Sequence, residues 1–188
     1  MNPIDKKSVE RILSGFHPQF DNHAIGWYNE VRGLLTGKAI MRATSVLRTE
    51  EQQDALYAKG RTMPGRIVTK VKGGYSVHNY GLAIDFCLLV DKDSNGTFEA
   101  ASWDTDYDFD GDGKADWVEI VSAAKRYGFE WGGDWKRFVD NPHIQLQLRN
   151  TKTGDPLSVR DMRMMKSGGH LLEGSDFIDL SDYEVIMP

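Results

Sequence analysis

In Ser76-Val77-His78-Asn79-Tyr80-Gly81-Leu82-Ala83-Ile84-Asp85 a histidine and, seven residues on, an aspartate flank a turn and the start of a strand. Leu82 to Val90 reads as that strand, with Ala83 and Asp85 on one face and Leu82, Ile84 and Phe86 on the other. Gly81 permits a tight turn or close backbone approach just before it. A small alanine beside a carboxylate leaves room for a metal and a substrate. Far downstream, Asp140-Asn141-Pro142-His143 opens a second alternating strand, with Ile144, Leu146 and Leu148 on one face and His143, Gln145 and Gln147 on the other. His78, Asp85 and His143 are candidate ligands for one zinc ion, and Asp140 is the candidate to act on the water bound to it.

Zinc sites that do chemistry commonly take three protein ligands and leave a fourth position open. The ion acidifies water, and a neighbouring carboxylate can accept the proton and return it to a leaving amine. Asp140 stands three residues before His143, close enough for a turn through Pro142 to bring both to one water. A cation should stabilise the oxyanion of the tetrahedral intermediate, and Arg48, at an expected strand end, is the candidate. Spacing alone leaves open that both histidines are satisfied core or surface residues.

Working outward, Pro3 to Ser14 and Ile25 to Leu35 read as amphipathic helices, Ala39 to Leu47 as a strand, and Glu50 to Lys59 as a helix capped by Thr49 and Gln52. His17 and His23 are expected to serve at the surface or as caps. Ile67 to Val71 reads as a strand, and Asp116 to Tyr127 as an amphipathic helix closed by Gly128. Phe129 to Trp131 reads as a strand and Leu157 to Lys166 as a short Met-rich helix. The expected fold is α+β. Residues 1–149 are expected to form a catalytic domain with an insert at 91–119, and 150–188 a C-terminal extension of unassigned role.

That insert carries Asp108-Phe109-Asp110-Gly111-Asp112-Gly113-Lys114-Ala115-Asp116-Trp117-Val118-Glu119. It matches the twelve-residue EF-hand loop: carboxylates from Asp108, Asp110, Asp112, Asp116 and Glu119, the Lys114 carbonyl, and glycine at the sixth place. The plain alternative is a solvated acidic loop. No helix is expected before Asp108, so only the exiting half of an EF-hand is present. Asp91, Asp93 and Asn95 repeat the first half of the pattern, either as a weaker calcium site or as an Asx-rich turn. Calcium is expected to order the insert and help place Asp140 and His143.

At 188 residues, 40% hydrophobic and 27% charged, the chain suits one soluble domain. A net charge of −5 provides no basic field for nucleic acid. The single cysteine, Cys87, excludes an internal disulfide and a cysteine-based zinc site. No run is long enough to span a membrane, and Met1 to Glu10 lacks the apolar stretch of a signal peptide. The expected product is a monomer made in the cytoplasm that acts after release.

Ser76-x-His78-x-x-Gly81-x-Ala83-x-Asp85, followed by Asp140-x-Pro142-His143, resembles the zinc D-Ala-D-Ala peptidases and phage L-alanyl-D-glutamate endolysins. Leu47-Arg48-Thr49, Gly60-Arg61-Thr62 and Trp131-Gly132-Gly133-Asp134-Trp135 resemble the endolysin-like branch. The resemblance implies a small, mainly antiparallel sheet with helices against it and the ligands at strand ends. It implies His78, Asp85 and His143 as zinc ligands, Asp140 as general base and acid, and Arg48 on the substrate carbonyl. It also implies that Ser76, Trp131 and Asp134 lie by the substrate. The implied partner is bacterial peptidoglycan, cut at the L-alanyl-D-glutamate bond. The alternatives are a D-Ala-D-Ala carboxypeptidase or dipeptidase and, from another class, a non-catalytic calcium-dependent wall-binding module.

Overall fold

A computed structural model describes residues 2–188, and its centre is β2 (Ala83–Val90). One edge of β2 pairs along its length with β1 (Ala39–Ser45). The other edge is shared, its first half by β5 (His143–Leu146) and its second half by β3 (Ala100–Ser102). β4 (Phe129–Trp131) completes the sheet beyond β5, and every pairing is antiparallel. β2 is buried at every position but Asp85, as expected of a strand flanked on both edges. Leu82, Ile84, Phe86, Leu88 and Val90 enter the main core. The alternate face carries Asp85, so the period-2 reading of this strand holds.

Three helices cover the core face. Pro3 at the first position and the Asn2 side chain, which accepts from Ile4 N at 2.9 Å, start α1 (Pro3–Gly15). α2 (Asp21–Leu34) contributes Ala24, Trp27, Tyr28 and Val31, and α4 (Asp116–Arg126) contributes Trp117, Ile120, Val121 and Ala124. Phe86 lies between Trp27 and Trp117, with ring centroids 6.0 and 4.7 Å away. α3 (Glu50–Ala58) has the Thr49–Gln52 capping box read from the sequence. It buries Gln53 completely.

Residues beyond 149 join the same core. β6 (Leu148–Asn150) pairs with β7 (Tyr183–Val185), and α5 (Val159–Ser167) lies between them in sequence. Met162, Ile178 and Leu180 are buried in the main cluster.

Several expectations are corrected. Ile67 to Val71 is irregular, and Ile67, Val68 and Val71 are exposed. Gln53 binds its polar atoms instead of a neighbouring strand: Nε2 donates to Thr69 Oγ1 at 3.1 Å and to the Val71 carbonyl at 2.9 Å. The strand from His143 ends at Leu146, and Leu148 starts a second sheet with β7. His17 is neither a surface residue nor a cap. It is fully buried, with Nε2 2.9 Å from the Ile178 carbonyl. His23 does act as a cap, with Nδ1 3.0 Å from the Tyr127 carbonyl after α4.

Candidate metal centre and active-site cleft

Register brings the first two groups together. Asp85 on β2 lies directly opposite His143 on β5. The third arrives from a 3₁₀ turn, Val77–Tyr80, which Gly81 ends in a left-handed conformation with φ +69°. His78 Nε2 is 3.0 Å from Asp85 Oδ1 and 3.2 Å from His143 Nδ1, and that Nδ1 is 3.1 Å from Asp85 Oδ1. Both histidines are buried.

The protons on these rings are fixed from behind. His78 Nδ1 faces the Val46 carbonyl at 2.7 Å, so it donates and Nε2 of the neutral ring carries a lone pair. Gln145 Nε2 donates to Glu130 Oε2 at 3.1 Å, which turns Gln145 Oε1 toward His143 Nε2 at 3.0 Å. That nitrogen donates, leaving a lone pair on His143 Nδ1. Two lone pairs and a carboxylate oxygen thus converge, an arrangement that repels unless a cation sits among them. Ligand atoms in tetrahedral zinc sites stand about 3.3 Å apart, so this triangle fits that ion with the fourth direction open.

Arg48 braces the carboxylate. Its NH2 group donates to Asp85 Oδ2 at 2.9 Å and Ser45 Oγ at 3.1 Å, and its NH1 group to Gln53 Oε1 at 2.8 Å. Burial pushes the Asp85 carboxyl up, and with no ion bound, protonation of the two rings would outweigh burial and hold the group far below the usual carboxylate range.

Asp140 is positioned by its backbone, whose N–H donates to the Gly132 carbonyl at 3.0 Å while its own carbonyl accepts from His143 N at 3.1 Å. Burial raises its pKa, and the charge on Asp85 adds to the rise against the pull of His143. Asp140, Arg48, Ser76 and the three convergent residues line one cleft of about 620 Å³.

Trp131 and Asp134 do not line it. Trp131 Nε1 donates to the Asn141 carbonyl at 2.8 Å and pins the Asp140–His143 turn, while Asp134 pairs with Lys125 at 2.6 Å. The sequence reading missed Gln145, Trp135 and Trp103. Gln145 sits two residues from His143 on the same strand face, which was a usable signal. Trp135 lies against His143, ring centroids 5.2 Å apart, and Trp103 lines the cleft from the insert. Lys70 lines it too.

In the acidic loop Asp108, Asp110 and Asp116 each bring one oxygen within 4.8 Å of the others. Asp112 and Glu119 stand outside this group and share the Lys114 ammonium at 3.5 and 3.4 Å. Asp116 Oδ2 and Glu119 Oε2 are buried without a partner. Burial, with the Asp110 charge, pushes the Asp116 carboxyl up to about 6. Asp91 and Asp93 join no such group of histidines, cysteines and carboxylates among the described residues. Asp91 spends both oxygens on Asn95 N and Gly96 N, at 3.0 and 2.9 Å, within its own turn.

An α+β domain that converges two imidazoles and a carboxylate beside a partly buried aspartate has the layout of a metal-dependent hydrolase. Residues 69–146 match the model of a family described as D-alanyl-D-alanine carboxypeptidase. The chain is 52% identical over 136 residues to the peptidoglycan L-alanyl-D-glutamate endopeptidase CwlK of Bacillus subtilis (strain 168), covering 72% of this chain and 75% of that protein. It is 36% identical over 107 residues to the L-alanyl-D-glutamate peptidase of Listeria phage A118, covering 57% of this chain and 30% of the phage protein. The crystal structure of the Serratia marcescens L-Ala D-Glu endopeptidase ChiX aligns with a TM-score of 0.47 and 18% identity, covering 77% of this chain and 87% of that one. This chain belongs to the M15 peptidase family, which includes the D-Ala-D-Ala peptidases and the L-alanyl-D-glutamate endolysins. No helix among the described residues is long and apolar enough to cross a membrane.

Proposed function

We propose that this chain is a zinc-dependent peptidase that cuts the L-alanyl–D-glutamate bond in the peptide stems of bacterial peptidoglycan. The observation that carries the reading is the convergence of the His78, Asp85 and His143 donor atoms at 3.0–3.2 Å, with both rings' protons held on the far side. The choice of bond is supported by the 52% identity to a relative named for that activity.

His78, Asp85 and His143 would hold the ion, which when bound supplies Lewis acidity at the scissile carbonyl and acidifies water. Asp140 takes the proton of the attacking water and delivers it to the leaving amine. A carboxyl whose pKa is raised by burial suits both tasks. Arg48 keeps Asp85 turned toward the imidazoles and presents positive charge where the oxyanion develops. Ser76 lines the same cleft and is proposed to meet the stem. Trp131 and Asp134 act at a distance, Trp131 by fixing the turn that carries Asp140.

Purified muropeptides incubated with zinc-loaded protein should yield fragments with a new alanyl carboxyl end and a new glutamyl amino end by mass spectrometry. Release of terminal D-alanine alone would sink the reading in favour of the carboxypeptidase activity for which the matching family is described.

We further infer that the Asp108–Glu119 loop takes calcium. The unpartnered buried oxygen of Asp116, beside Asp108 and Asp110, supports this, as does the unpartnered buried oxygen of Glu119. Asp110 Oδ2 also accepts from Thr36 N at 2.8 Å, which ties the loop to the end of α2. The insert contributes Trp103 to the cleft, so ordering it shapes one wall of the site. With zinc kept saturated, calcium should raise both thermal stability and activity. Identical melting and turnover with calcium and with a selective chelator would refute the inference.

A further inference from the structure

In the stem peptide, D-glutamate is joined onward through its γ-carboxyl. Its α-carboxyl is therefore free, and it hangs from the same carbon as the nitrogen of the bond to be cut. A site working on that bond receives an anion beside two carboxylates of its own, Asp85 and Asp140. Unscreened, three like charges within one cleft repel one another. The ion and Arg48 answer the site's own carboxylates, and a further cation placed at the incoming anion would bind it and fix the position of the stem.

Two basic side chains line the cleft, Arg48 and Lys70. Arg48 is committed to Asp85, Ser45 and Gln53. Lys70 has no carboxylate within ion-pair distance among the described residues. Its Nζ makes one long hydrogen bond, 3.5 Å, to the Arg137 carbonyl, and lies 4.8 Å from the Phe138 ring centroid. The ammonium thus reaches from the irregular 66–71 segment to the segment that leads into Asp140. A long contact to an uncharged carbonyl yields readily to an ion pair with a carboxylate.

The segment is irregular but anchored. Gln53, fully buried, donates to Thr69 Oγ1 and to the Val71 carbonyl, so the residues on either side of Lys70 are fixed. Arg61 adds a bond to the Thr69 carbonyl at 3.0 Å. The same Gln53 accepts from Arg48 through Oε1. One buried amide therefore braces Arg48 directly and the backbone on either side of Lys70.

We propose that Lys70 binds the free α-carboxylate of the D-glutamyl residue and is a specificity-determining residue of the cleft. The inference rests on the peptidase reading above. Stems carrying an α-carboxamide in place of that carboxylate offer no charge to meet it and should be poorer substrates.

The test uses two synthetic stems that differ only in that group, carboxylate or carboxamide, with the zinc-loaded full chain. Wild type should favour the carboxylate by about tenfold or more in kcat/KM, the range expected of a hydrogen bond to a charged group. Lys70→Gln should lose that preference by a rise in KM for the carboxylate stem, leave the carboxamide stem unchanged, and keep its melting temperature. Lys70→Arg should restore most of the preference. Equal losses on both stems, or an unchanged ratio, would overturn the role of Lys70 and leave the peptidase reading standing. Failure of wild type to cut the alanyl–glutamyl bond in either stem would overturn the peptidase reading, and this inference with it.

Discussion

At the scale of single residues, the centre is decided by where protons are not. The Val46 carbonyl and the Gln145 amide each hold a ring proton away from the meeting point. His78→Ala should therefore lower bound zinc from one equivalent toward none by metal analysis, with hydrolysis falling below detection while the fold persists. Asp140→Asn should behave differently. It keeps the three donor atoms, so zinc content should stay near one equivalent while kcat falls by about 10²–10⁴, the usual worth of a general base. The convergent residues were legible in the sequence because the Ser76–Asp85 and Asp140–His143 motifs resemble those of the zinc D-Ala-D-Ala peptidases and endolysins, where residue type and spacing alone left them open. What holds them was not legible. A backbone carbonyl from Val46 leaves no side-chain signature, and no local pattern announces the register shift between Ala43 and Ser45 or the grip of Arg48 on Asp85. His17 misled for a related reason: its partner is a carbonyl at Ile178, far away in the chain.

At the scale of elements, the β2–β5 ladder and the turn before β5 do the positioning. Gly132 sits where an added Cβ would lie 2.5 Å from the Asp140 carbonyl oxygen and 3.3 Å from His143 Cβ. Gly132→Ala should push that turn outward and cut kcat more than it lowers thermal stability, a split that paired kinetics and melting curves would reveal. The acidic loop makes a prediction with a definite sign. In calcium-free protein the Asp116 carboxyl stands at about 6, above the ordinary aspartate value. Between those two values the folded state binds more protons than the unfolded one, so this group's effect on stability becomes less favourable as pH rises through the window. Melting temperature against pH, compared with Asp116→Asn, should show that downward contribution in wild type, and calcium should remove it. Helices and the β2 alternation were readable because apolar spacing and the Thr49–Gln52 box are local. Ile67–Val71 was misread because the same β-branched composition serves an exposed segment held by Gln53.

At the scale of the whole molecule, the last forty or so residues complete the core. Met162, Ile178 and Leu180 are buried there, each worth about 1.5–3 kcal/mol, against about 5–15 kcal/mol for a typical domain. β7 also pairs with β6, through Leu148, Arg149 and Asn150. A chain cut after Arg149 should therefore be insoluble or melt far below the full chain, as circular dichroism would show. Little of this was visible in the sequence, since the tail's apolar residues are isolated and each finds its neighbours across long separations.

Phe177 lies so close beneath Gly81 that a β-carbon there would come within 2.6 Å of its ring. The floor under the His78 turn is thus built from residues translated long after it. Until synthesis has passed Ile178, the nascent polypeptide carries His78, Asp85 and His143 without the ring that packs under the His78 turn.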